Sequence, residues 1–342
     1  MAFVIDHYFE EAPESDIYSD VSILDGNYLY VAEIDWPAKI HKIDLTTETE
    51  VSSLTLDPDN IDFCDGNAVI QDSNYIYFGC TSGYSTYKSA IVKIAKSTFT
   101  VSGILHISKQ YFEWQSHAVY DSIHNKAYFV AYKDIYKINL DTFTLESTLD
   151  CGSNYYSISS ILIDSTSTFL YIGTNVGYSR IGKISIDSFS IVNYIDTNSH
   201  AGISSMAIDN ANDKLYAGTY PARDGAGAYI WKIDVATFTS DGELHLPSGE
   251  YALTTALIDS TCKYGYFVTW GDKLIRIDLN TFLRVDTITI DETQSRNIHY
   301  DSARNIYLVA SYDIRIAKIT TECQLLPISS ILMYKFRPAV LT

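Results

Sequence analysis

The chain has 342 residues, of which 46% are hydrophobic and 19% charged, a composition that supports a packed core and excludes intrinsic disorder. Its formal charge of −18 repels polyanions and excludes nucleic acid as a partner. No apolar run reaches the roughly 20 residues of a membrane span, and the start "MAFVIDHYFEEAPESD" lacks the basic-then-apolar pattern of a secretory signal.

A soluble protein is therefore expected, with an extracellular or virion-associated location left open. The first predicted element is the apolar run Phe3 to Phe9, inside an N-terminal arm of residues 1–17. From residue 18 to 330 one unit recurs. Its tyrosine column is Tyr30, Tyr77, Tyr128, Tyr171, Tyr216, Tyr266 and Tyr307, at spacings of 41 to 51 residues. An aspartate precedes each (Asp25, Asp72, Asp121, Asp164, Asp209, Asp259 and Asp301), and a Lys-Ile or Arg-Ile pair follows, from Lys42-Ile43 to Lys318-Ile319. In the middle five copies a phenylalanine stands six residues after the basic position, at Phe99, Phe143, Phe189, Phe238 and Phe282. The first and last copies carry Glu48 and Gln324 there.

Each copy holds four short β-prone runs, such as "SSILID", "FLYIG", "RIGKISI" and "SIVNYID" in the fourth, separated by turn-forming residues. Four strands per 40–50 residues is the pattern of a propeller blade. The sequence predicts an all-β chain, a single seven-bladed β-propeller with four antiparallel strands per blade. The aspartates are expected to cap the first turn. The tyrosines are expected to pack between blades with their hydroxyls at a polar rim. The basic residues should lay their stems on apolar surface. Two runs compete for the last blade's fourth strand: "QLLPISS", which contains Pro327, and the N-terminal "FVIDHYF".

The unit "D…LY.G…KID..TF…L.L" resembles YVTN-type and related seven-bladed propeller repeats over about residues 18–330. It is WD40-like in architecture without the Gly-His and Trp-Asp signatures. The resemblance implies architecture alone, because propellers host both binders and enzymes.

In such a blade the loops between strands two and three share a face with those leading into the next blade. The predicted aromatic positions there are Trp36, Tyr84, Phe112, Trp114, Tyr132, Tyr155, Tyr156, Tyr178, Tyr220, Tyr251, Trp270 and Tyr312. Tyr and Trp in loops give contact area at low entropic cost. This favours a non-enzymatic binding or assembly module for a protein or glycan, or a structural part of a virion or cell-surface layer. The alternative is a hydrolase or lactonase with a metal or acid/base site at the central channel, formed by His117, His200, His299 and Arg296 beside Asn297.

No cofactor is expected. The acidic stretch "DPDNIDFCDGN", residues 57–67, reads as a solvated loop, with Ca²⁺ or another divalent metal on Asp57, Asp59, Asp62 and Asp65 as the alternative. The five cysteines (Cys64, Cys80, Cys151, Cys262 and Cys323) include no CxxC pair and suggest neither a zinc site nor a disulfide framework. Cys64 and Cys80 fall in two predicted loops of one copy and can bond only if their Cα atoms come within about 7 Å. The apolar tail "ILMYKFRPAVLT", residues 331–342, is predicted to pack on its own disc or dock into a neighbour.

Overall fold

The computed structural model describes residues 2–10, 21–33, 37–56, 61–82, 88–107, 117–155, 157–175, 179–197, 202–220, 227–259, 261, 263–271, 273–290, 297–301, 306–310 and 315–322. Strand β1 is Ala2–Glu10. Blade one follows: β2 Val21–Asp25, β3 Tyr28–Ala32, β4 Lys39–Asp44 and β5 Thr49–Thr55. Blade two is β6 Ile61–Gln71, β7 Tyr75–Ser82, β8 Lys88–Ala95 and β9 Thr100–Ile107. Blade three is β10 Ala118–Asp121, β11 Lys126–Ala131, β12 Asp134–Asn139 and β13 Thr144–Asp150. Blade four is β14 Ile158–Ile163, β15 Phe169–Thr174, β16 Arg180–Ser185 and β17 Ser190–Asp196. Blade five is β18 Ile203–Asp209, β19 Lys214–Thr219, β20 Tyr229–Asp234 and β21 Thr239–His245. Blade six is β22 Leu253–Ile258, β23 Tyr264–Thr269, β24 Lys273–Asp278 and β25 Leu283–Thr289. Last come β26 Asn297–Asp301, β27 Ile306–Ala310 and β28 Arg315–Glu322.

The chain is an all-β β-propeller with four antiparallel strands per blade. The expectation of seven like blades is corrected in one respect. Six blades are each four consecutive strands, whereas the seventh repeat supplies only β26, β27 and β28 and forms no blade alone. The N-terminal β1 pairs antiparallel with β28, from Ala2 opposite Glu322 to Glu10 opposite Arg315. That pairing satisfies the edge N–H and C=O groups of β28, which would otherwise lie open. The rival run after residue 322 lies outside the described residues, as does the tail.

Innermost strands β2, β6, β10, β14, β18, β22 and β26 follow one another around the axis, and β26 meets both β22 and β2. Burial falls outward. The second strands are almost wholly buried, every residue after the first in β11, β15, β19 and β23, and the fourth strands are largely exposed.

The repeat columns explain how the blades hold together. Tyr30, Tyr77, Tyr128, Tyr171 and Tyr216 are each buried and meet the phenylalanine of the next blade. Tyr30 lies 5.7 Å from Phe99, Tyr77 5.8 Å from Phe143, and Tyr128, Tyr171 and Tyr216 6.0 Å from Phe189, Phe238 and Phe282. The lysine of the same blade reaches over that phenylalanine, from 5.3 Å for Lys93 over Phe143 to 5.9 Å for Lys42 over Phe99, a cation–π contact. All five phenylalanines have left-handed backbone, φ 43° to 54°. That conformation costs a non-glycine residue about 1–2 kcal/mol, and burying a ring against the neighbouring blade offsets it.

The aspartates cap as expected. Asp72 Oδ1 accepts from the N–H groups of Asn74 and Tyr75, and Asp209 Oδ1 from those of Ala211 and Asn212. The polar-rim expectation holds for Tyr77, whose hydroxyl donates to Asp72 Oδ2 at 2.7 Å. It is corrected for Tyr128 and Tyr171, whose hydroxyls are buried without a hydrogen-bond partner.

Candidate functional site

Small and hydroxylated residues on the inner strands leave a channel around the axis. Its cavity, about 290 Å³, is bounded by side chains from all seven inner strands, including Ser22, Ser160, Ser204, Thr255, Asn297 and His299, with His117 at the start of β10. Bulges at Ile158/Ser160, Ile203/Ser205 and Leu253/Thr255 set these hydroxyls. The bulged Ser159 donates to the Ile203 carbonyl of the next blade, and Ser204 donates to the Leu253 carbonyl at 2.7 Å. The hydroxyl pairs in "SSILID" and "ISSMAID" thus tie one inner strand to the next, a role the sequence reading did not anticipate.

The structure brings His117 and His299 to this one channel. Enclosure by the surrounding strands pushes each imidazole down to about 4, so both are neutral near pH 7. His299 Nε2 is hydrogen-bonded to Ser22 Oγ at 2.8 Å. His200 and Arg296 lie outside the described residues. Among the described lining residues there is no carboxylate and no ammonium or guanidinium group.

The two predicted loop sets do share a face. The Ile158 N–H donates to the Tyr132 carbonyl at 2.7 Å, joining the second-to-third-strand loop of blade three to the start of blade four. Within blade six the Trp270 N–H donates to the Ala252 carbonyl at 2.8 Å, joining the second-to-third-strand loop to the segment that enters the same blade. On this face Tyr220 and Trp270 of adjacent blades meet edge to face at 6.0 Å, both half-buried. Tyr251 is 40% exposed. Tyr132 is half-buried, with φ 64°. Tyr155 departs from the expectation of a contact residue. It lies in a 3-10 turn, Ser153–Tyr155, is buried, and has Arg180 over its ring at 5.8 Å. Burial pushes its hydroxyl up to about 12. Trp36, Tyr84, Phe112, Trp114, Tyr156, Tyr178 and Tyr312 lie outside the described residues.

The acidic stretch is corrected in part, because residues 61–67 belong to β6 and not to a loop. Asp62 and Asp65 are thus on a strand, while Asp57 and Asp59 lie outside the described residues. Among the described residues no group of three His, Cys, Asp or Glu side chains is placed to hold a metal ion. Cys64 and Cys80 also sit on strands, β6 and β7. They are cross-strand partners with Cα atoms 3.9 Å apart, and they form a disulfide. Cys151 is a buried free thiol, pushed up to about 12 by burial.

One charged cluster was not foreseen. Buried His41 on β4 bonds Glu33 Oε1 through Nε2 at 2.5 Å and Glu50 Oε2 through Nδ1 at 2.9 Å. Burial opposes its charge, but the two carboxylates together prevail and raise it to about 9. With both ring nitrogens donating, it is an imidazolium braced inside blade one.

The chain matches no known family model and no curated protein. No helix among the described residues is long and apolar enough to cross a membrane.

Proposed function

We propose that the protein is a non-enzymatic binding or assembly module that presents its aromatic loop face to a protein or a surface glycan. The sheet of β1 and β26–β28 serves, on this reading, as the seventh blade of a closed disc, and the tail 331–342 as a second docking element. The observation that supports it is the division of labour among the aromatics. The tyrosine and phenylalanine columns account for the packing between blades. Tyr220, Tyr251 and Trp270 stand outside those columns and keep exposed surface on one face. Rings with one apolar and one polar end are the usual anchors of recognition surfaces.

The disulfide favours an oxidising compartment, which suits an extracellular or particle-associated protein. The test is radical footprinting of the purified protein, alone and after addition of a panel of glycans or at concentrations that drive self-association. Protection of Tyr251 and Trp270 supports the reading. Protection confined to the opposite face contradicts it.

One observation favours the channel-enzyme alternative. Ser22 and His299 form a hydroxyl–imidazole pair inside a polar cavity, the first two members of a nucleophilic constellation. Hydrolysis of simple esters or lactones that disappears in Ser22→Ala would move the assignment to the channel.

A further inference from the structure

A second cavity, about 420 Å³, opens between blades three and four on the face opposite the aromatic loops. Its origin lies in one position of the repeat. Two residues before the column tyrosine, four blades carry an aromatic: Tyr28, Tyr75, Phe169 and Tyr264. In three of these the ring lies under the blade's own lysine, at 4.1 Å for Lys42 over Tyr28, 3.9 Å for Lys93 over Tyr75 and 4.1 Å for Lys183 over Phe169. Blade three has Lys126 there, and blade five has Lys214, which is held by Asp234 and Asp241. No ring at this position lies under Lys137, which keeps the Phe189 ring of blade four at 5.9 Å, and both Lys126 and Lys137 line the cavity with His124, Tyr128, Thr166 and Thr168.

The wall contains an unsatisfied group. In blade two the column tyrosine donates to its aspartate. In blade three Asp121 Oδ2 is taken by His124 Nδ1 at 2.8 Å. The Tyr128 hydroxyl, fully buried, is left without a partner on the cavity wall. Tyr171 shares that orphan hydroxyl, but Phe169 occupies the position of Lys126 beside it. A buried hydroxyl facing a cavity takes its partner from whatever fills the cavity.

The groups around it are mostly donors. Lys126 and Lys137 already converge on one carboxylate, Glu146, at 2.6 and 3.3 Å. Each ammonium has three protons to donate, so both keep donors for a second acceptor. The one carboxylate of the lining, Asp187, is exposed. We propose that this cleft is a binding site for a small oxyanion, a carboxylate or phosphate group, held by Lys126, Lys137 and the Tyr128 hydroxyl.

Calorimetric titration of the intact protein with inorganic phosphate and, separately, with acetate tests it. Saturable binding of either is expected, and whichever binds more tightly assigns the group. Lys126→Tyr, which restores the ring found in other blades, should raise Kd at least about tenfold through loss of a charged hydrogen bond. Tyr128→Phe should raise it about threefold without change of charge. Lys214→Ala, removing a lysine that pairs with Asp234 and Asp241 in blade five, should leave it unchanged. Absence of saturable binding by both anions overturns the site, as does a Lys126→Tyr variant that melts and binds like the parent. Unchanged binding by Tyr128→Phe overturns the role given to the hydroxyl.

Discussion

Lys318 on β28 donates to Glu48 of blade one across 3.4 Å, joining the last repeat to the first. Glu48 has φ 58°, the same left-handed backbone as the five phenylalanines. It therefore occupies their place in the repeat. Where every other described lysine of the column meets a ring, Lys318 meets a carboxylate. The seam between first and last repeats is held by an ion pair instead of an aromatic contact.

Salt should distinguish this seam from the rest. Both side chains are about four-fifths buried, so the pair is partly screened and contributes about 1 kcal/mol. Glu48→Phe places a ring on a backbone already suited to it and should leave stability within about 1 kcal/mol. Chemical denaturation with urea at low and roughly molar salt checks this. The parent should lose stability with salt, and Glu48→Phe should lose less.

The β1 strand should be indispensable. Deleting Ala2 to Phe9 strips the strand paired with β28 and exposes its backbone edge. A loss of several kcal/mol is expected, read as an earlier melt. Unchanged melting would refute closure by the N-terminus.

The columns were legible in the sequence because repetition exposes any residue that packing demands seven times. The reason for the phenylalanine was not legible. It acts on the tyrosine of the preceding blade, some 61 to 69 residues away in the chain, and from a left-handed turn that no spacing reveals. The Cys64–Cys80 bond was obscured for a related reason. It needs β6 to run through the acidic stretch, and the register shift between Cys64 and Val69 hides the pairing from any alternation pattern. At the candidate sites, position in a loop was readable, but exposure was not: Tyr155 and Tyr251 look alike in sequence, and only the second reaches solvent.

His41 makes blade one sensitive to alkaline pH. Its folded value is raised from the usual 6.5 to about 9, so the stabilisation is fully present below about 6.5 and is lost as pH rises through about 9. The loss is up to roughly 3 kcal/mol. Denaturation midpoints between these limits should fall in the parent and fall much less in His41→Gln. Equal slopes in the two proteins would contradict the imidazolium assignment.

The disulfide predicts a thiol count. With five cysteines in the chain and Cys64–Cys80 bonded, denatured but unreduced protein should show at most three free thiols, and five would exclude the bond. The double variant Cys64→Ala, Cys80→Ala should lose about 2–4 kcal/mol, the usual effect for a loop of this length.

The loop face is tested most directly by comparing folding with association in Tyr251→Ala and Trp270→Ala. Melting temperature is measured beside the affinity for the glycan or the self-association that protects the face in footprinting. Binding anchors should cost roughly 2 kcal/mol of association, about thirtyfold in Kd, in at least one variant, with stability held within about 1 kcal/mol. Variants that associate like the parent, or that melt as early as core truncations costing about 3–5 kcal/mol, would show that these rings pack the disc and bind nothing.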